Sequence, residues 1–296
     1  MTSRKSVARI GFVLLPAALS SFLLLPPQFA EEKVPKKFSK RADTNLSARK
    51  KQIQLELESL RQDSWAGHYY YGDGLGVNVE LDLAPKSGFA FAWNGCLGTY
   101  DMNYGDVVES DGRIRLLFKL SNERKGFQGI APEFFPVTWG DRHYLIPSDG
   151  VVEFANAINA GFEPRDSAWG EFLLKREDVS KAVTGFPILP AHYSGYLLSN
   201  PVDAEISEVR QSRREESQGI TTVLLNVGAT QGVKKGMEFY LHTPSGFFES
   251  AKVTRVDSSS SEAEIFQCSG DKAGPPSVGW KLSTSDTVRK AESRKK

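Results

Sequence analysis

The chain is poor in the residues that carry most metal, redox and disulfide chemistry: two cysteines, four histidines and three methionines are all that its 296 residues hold. Cys96 and Cys268 cannot form the dense disulfide framework that staples small secreted domains. The even count leaves two readings, one Cys96 to Cys268 bridge or two separate thiols. The histidines, His68, His143, His192 and His242, show no close metal-ligand pairing, and no metal is expected. C-x-x-C, H-E-x-x-H, G-x-S-x-G and the phosphate loop are all missing. Thiol oxidoreductases, zinc proteases, α/β-hydrolases and P-loop enzymes therefore lack their usual residues here, and no cofactor is expected. Basic charge is scarce where the chain should fold. Net charge is +6 over residues 1 to 63, −6 over 64 to 195, −2 over 196 to 285 and +3 beyond. A nucleic-acid binder concentrates Lys and Arg on the domain that grips phosphates, so nucleic acid is excluded as a partner.

One apolar run stands apart. Arg4, Lys5 and Arg9 precede 21 uncharged residues from Ile10 to Ala30, and Glu31 and Glu32 follow at once. A basic segment before an apolar one reads as a secretory signal with a cleavage point after Ala30, and Pro16, Pro26 and Pro27 favour cleavage. The length also suits an uncleaved anchor. Either way residues 31 to 296 are expected outside the cytoplasm, periplasmic or secreted, touching a membrane only through this segment.

Residues 31 to 45 mix Lys, Glu, Pro and Ser without period and read as a linker. Ser47 is the expected cap of a helix from Ala48 to Gln62, with Ile53, Leu57 and Leu60 on one stripe. After Trp65 the period changes to two. Val77 to Leu83 and Phe89 to Trp93 alternate apolar and polar, and Gly72-Asp73-Gly74-Leu75-Gly76 and Pro85-Lys86-Ser87-Gly88 supply turns between strands. Further strands are expected at 100 to 108, 113 to 120, 134 to 139, 142 to 146 and 170 to 175, interrupted by one helix from Val151 to Ala160. Pro187, Pro190 and Pro201 lead to a second set of strands at 204 to 209, 220 to 226, 237 to 242, 247 to 256, 262 to 267 and 279 to 282. The fold class is mainly β: a targeting segment (1–30), a basic linker and short helix (31–63), a meander barrel with one helix (64–195), a small SH3- or OB-like barrel (196–285) and a polar tail (286–296).

The stretch Asn226-x-Gly228-x-x-x-Gly232-Val233-x-x-Gly236-Met237 resembles a turn signature of small β-barrels in exported bacterial assembly proteins. These include the C-terminal domain of flagellar assembly protein T and the barrels of rod-shape-determining periplasmic proteins. The resemblance covers residues 204 to 283 and implies a scaffold, with Gly228, Gly232 and Gly236 as structural glycines and Val233 in the barrel floor. Trp65-Ala66-Gly67-His68-Tyr69, followed by alternating strands, looks like the opening of lipocalin-like meander barrels. That likeness implies an early Trp closing one barrel end and a small-ligand carrier as an alternative function.

For chemistry the sequence offers Asp73, Asp101, Asp106 and His143, which could share one barrel rim and do acid-base work on envelope material. Asp101, Asn103 and Asp106 also resemble part of a calcium loop, but the terminal bidentate Glu is missing. Of 32 aromatics, 21 fall between residues 64 and 195. Alternation sends part of the Tyr69, Tyr70, Tyr71 set outward, where rings suit a glycan or an envelope protein. The expectation is a non-catalytic extracytoplasmic binding or assembly protein, with the enzyme and the carrier as alternatives.

Overall fold

The computed structural model describes residues 38–60, 65–72, 74, 76–164, 172–215, 218–241, 250–268 and 275–286. Residues 1 to 30, read from sequence as a targeting segment, Asp73, His242 and residues 287 to 296 lie outside the described residues. Fourteen strands, two α-helices and three short 3₁₀ turns are formed among them, and the strands close two antiparallel barrels.

The first barrel runs β1 (Gly67–Gly72), β2 (Asn78–Ala84), β3 (Gly88–Gly95), β4 (Gly98–Ser110), β5 (Arg113–Phe118), β6 (Glu133–Trp139), β7 (Arg142–Pro147) and β8 (Leu173–Lys175). Each strand pairs with the next, and β8 closes on β1 through Tyr70 opposite Leu174. Register converts the alternating sequence into rings of inward side chains. Tyr69 faces Leu81, Leu81 faces Phe91, and Phe91 faces Asn103. One ring nearer the mouth, Tyr71, Val79, Trp93 and Asp101 are matched in the same way. Leu81, Leu83, Phe89, Phe91, Ile114, Phe134 and Leu145 fill the interior at full burial. Trp65 closes the opposite end, its indole donating to Glu109 at 2.8 Å.

Helix α1 (Lys40–Ser59) lies outside this barrel. It starts eight residues before the Ala48 expected from sequence, because Ser39 rather than Ser47 is the cap: its hydroxyl accepts from the amide of Ala42 at 3.2 Å. The stretch from residue 40 to 45, read as linker, is thus the first part of the helix. Its seat is made by the small outward residues Ala84 and Ala90 of β2 and β3, which let fully buried Ile53 lie flat on the sheet. That one side chain contributes about 2 kcal/mol by its burial.

The second barrel joins β9 (Asp203–Glu215), β10 (Gln218–Leu225), β11 (Glu238–Leu241), β12 (Ser250–Val256), β13 (Ser261–Cys268) and β14 (Lys281–Ser283), in the order β10-β13-β12-β11-β14-β9. Its core holds Ile206, Val223, Leu225, Phe239, Val253, Ala263 and Ile265. β9 continues well past the residue 209 expected from alternation. Its outer half is polar, and Arg210 and Arg213 reach Glu262 and Glu264 of β13 at 2.8 and 3.1 Å. Ion pairs of this kind give a strand no apolar period to read.

The glycine signature has two physical grounds. Gly232 and Gly236 have φ of 84° and 87°, the left-handed region that side-chain-bearing residues avoid. Gly228 corrects the expectation: its φ is −149°, which any residue adopts. What it supplies is space, since a Cβ there would lie 2.4 Å from the carbonyl oxygen of Asp257. Val233 packs in the barrel core, 3% exposed.

Helix α2 (Val151–Asn159) connects the barrels. Asn156 donates from Nδ2 to the carbonyl of Gly236 at 2.9 Å and accepts from the amide of Glu238 at 3.3 Å. One turn later Asn159 donates to the carbonyl of Tyr196 and accepts from the amide of Leu198. Two asparagines at i and i+3 occupy one helix face, so α2 grips both the connecting segment and the second barrel.

Candidate functional site

The mouth of the first barrel is covered by the segment between β5 and β6, residues 119 to 132. Polar side chains from inside the barrel hold it down. The carboxamide of Asn103 accepts from the amide of Leu120 and donates to its carbonyl, both at 3.1 Å. Asp101 accepts from the amide of Gly129 at 2.6 Å. Within the segment, Asn122 makes the same two-way contact with Ile130, at 2.9 and 3.0 Å. These bonds pair backbone groups of the loop with side chains, which is how an irregular segment can sit on an apolar interior.

Phe127 stands at the tip of this segment. Its ring stacks on Tyr100 at 5.3 Å and meets Trp93 edge-on at 5.9 Å. It is nonetheless 55% exposed, and Leu97, in the neighbouring β3–β4 turn, is 53% exposed. Beneath lies a cavity of about 20 Å³ lined by Tyr71, Val79, Trp93, Gly129, Ile130, Phe134 and Leu173. It has room for one water molecule, whereas ligand sites typically enclose about 300–1,000 Å³.

Of the residues singled out from sequence, the three described ones, Asp101, Asp106 and His143, are engaged separately. Asp101 is 5% exposed and serves as the latch for Gly129. Asp106 lies on the other face of the same strand, with Lys119 at 2.7 Å and Arg49 at 3.7 Å. The hydrogen bond from Lys119 holds its carboxyl below the usual value. Because residues 101 to 106 are strand, Asp101 and Asn103 face inward and Asp106 outward, so the three cannot close around one calcium ion. His143, the second residue of β7, faces Asp178 of the 3₁₀ turn Arg176–Asp178, with Nδ1 and the backbone amide 2.7 and 2.8 Å from the same carboxylate oxygen. Lys181 lies 2.5 Å from the other oxygen. Burial pushes the Asp178 carboxyl up, but the bonds from Lys181 and His143 outweigh it and hold the group below its ordinary value. Asp73 lies outside the described residues.

The tyrosine set divides three ways. Tyr69 is core, its hydroxyl donating to the carbonyl of Trp65 at 2.9 Å. Tyr70 faces outward beneath the guanidinium of Arg176, 4.8 Å from its ring. Tyr71 lines the small cavity. Among the described Phe, Tyr and Trp rings of this domain, Phe127 and Phe186 are the exposed ones, and Tyr100, which stacks on Phe127, is half-buried like Tyr70. Phe127 has no strand period to mark it; the readable signal was a lone Phe in the polar stretch from Ser121 to Gln128. Two His-Asp pairs were likewise missed, His143 with Asp178 and His68 with Asp82, the latter at 2.8 Å. Cys96 is exposed in the β3–β4 turn, while Cys268 ends β13 with a side chain outside the described residues. Among the described residues no group of three His, Cys, Asp or Glu side chains could hold a metal ion, and no helix is long and apolar enough to cross a membrane.

No family model matches the chain, and no curated protein and no solved structure matches it either.

Proposed function

We propose that this chain is a non-catalytic binding or assembly protein of a bacterial envelope, acting outside the cytoplasm, and that the Phe127 tip is where it meets a partner protein. The observation that carries this reading is the pairing of exposure with rigidity at the barrel mouth. Phe127 and Leu97 keep more than half their surface exposed, yet the loop below Phe127 is latched by Asp101, Asn103 and Asn122. Preformed aromatic anchors of this kind bind partners without a large ordering cost. A protein suits the apolar Phe127 and Leu97 pair better than a glycan, and two polar side chains nearby are already engaged. Asp101 is occupied by Gly129, and the Asn94 side chain accepts from Thr99. The small interior cavity speaks against a carrier, and the separate engagements of Asp101, Asp106 and His143 speak against an enzyme. The export pattern of residues 1 to 30 and the small-barrel turn signature support the location.

A photo-crosslinking side chain at Leu97, in the full-length protein within its envelope, tests the proposal. The expected product is an adduct with one protein. Purified, that protein should bind the wild-type chain and lose about tenfold in affinity for Phe127→Ala, the size of a modest interface anchor. Adducts with glycan alone would move the reading to sugar binding. Turnover of envelope material abolished by Asp106→Asn or His143→Gln would overturn it.

A further inference from the structure

We infer that α1 is a pH-sensitive strap, locked onto the first barrel by protonated His68 and loosened when that imidazole loses its proton. The argument is geometric. His68, on the outer face of β1, places Nδ1 2.8 Å from Oδ1 of Asp82 on β2 and Nε2 3.0 Å from Oε1 of Gln54 on α1. A carboxylate only accepts, so Nδ1 must carry a proton. The Gln54 amide is fixed in turn, since its Nε2 donates to Glu58 at 3.0 Å. Flipping it would set its oxygen against the Glu58 carboxylate. Nε2 of His68 therefore faces an acceptor as well, and only the imidazolium, with both nitrogens donating, satisfies both neighbours. The neutral ring must give up one of them.

The charged groups around the ring come from every element packed on it. Asp82 and Glu80 belong to β2, Lys50 to α1, and Arg176 and Glu177 to the turn after β8. Lys50 is bound to Glu80 at 3.1 Å and lies 3.9 Å from Asp82; Arg176 also binds Glu80, at 2.7 Å. Lys50 and Arg176 are thus committed to Glu80, and Asp82 stays the near counter-charge of His68. The Asp82 hydrogen bond raises the imidazole above its ordinary value near 6.5, against the opposing effect of burial. The sign follows: a group whose pKa is raised on folding adds stability that is complete below its unfolded value and disappears as pH rises through the folded one.

The contact adds to an apolar seat, in which Ile53 is buried with Leu46 and Leu57 packed beside it. The other polar attachments of α1 are Arg49 to the carbonyl of Ser87, Lys50 to Glu80, Asn45 to Tyr104, and the amides of Lys86 and Ser87 to the carboxylate of Glu56.

Hydrogen exchange of the full-length protein from about pH 5 to about pH 8, spanning histidine titration, tests this. Rates are corrected for intrinsic exchange, and the imidazole is followed by NMR in the same samples. Protection of the α1 amides should fall several-fold through the His68 titration while β2 and β3 stay protected, and His68→Gln should remove that step. Protection of α1 that is flat with pH, or an equal step in His68→Gln, would overturn the strap. Should the variant fail to fold, the wild-type protein still decides: an imidazole titrating at or below its ordinary value would be incompatible with two donated bonds.

Discussion

The side chain of Asn156 donates to the carbonyl of Gly236, eighty residues further along the chain, at 2.9 Å. With the bond it accepts from Glu238, this amide joins α2 of the first barrel to the entry of β11 in the second. Asn156→Ala removes both contacts and leaves two backbone groups at a buried junction, a loss of about 1–3 kcal/mol. Chemical denaturation should show the second barrel unfolding at lower denaturant in the variant, ahead of the first. Coincident transitions with an unchanged midpoint would mean that the junction is held by other contacts.

Gly236 itself is under two constraints. Its φ of 87° disfavours any β carbon, and one placed there would lie 3.1 Å from a methyl of Val152 on α2. Gly236→Val should therefore cost about 1–3 kcal/mol from backbone strain alone, with Gly236→Ala less affected. Thermal melting of the pair checks the ranking, and an unchanged melt for Val would contradict it.

Ile53 is fully buried on the seat formed by Ala84 and Ala90. Ile53→Ala should weaken docking of α1 by about 2–5 kcal/mol, enough to expose the helix to trypsin at Lys50 and Lys51 while both barrels remain folded. Limited proteolysis followed by mass measurement reads the sites. Resistance at those lysines would show that the polar contacts suffice.

Asp178 predicts an acid limit. Its carboxyl is held below the ordinary value, so the stability it contributes is present above the unfolded pKa of about 3.8 and is lost as pH falls through the lower folded one. Asp178→Asn should flatten the acid end of the stability profile below about pH 4, and should be less stable than wild type near neutrality because Lys181 and His143 lose their shared partner. An unaltered acid profile would assign the acid limit to other carboxylates.

The architecture was legible because half-buried strands betray themselves by alternation, and the first barrel follows the turn marked by Pro85 to Gly88 closely. The start of α1 was misread since Ser39 and Ser47 are equally good caps by local chemistry. Only the helix seat on β2 and β3 distinguishes them, and it draws residues 40 to 47 into the helix. β9 was cut short because its outer half is stabilised by Arg and Glu reaching across two strands, which leaves no apolar period.

Composition and period thus determined by themselves that the chain is mainly β, built of short alternating strands in two barrels, since these depend on residue type and nearest-neighbour spacing. Tertiary structure decided which side chains meet. Asp101 and Asp106 part to opposite faces of one strand, His143 finds Asp178 rather than either of them, Phe127 is carried over the barrel mouth, and His68 is set between Asp82 and Gln54. Register and loop closure bring together residues far apart in the chain, and no local pattern encodes distances of that kind.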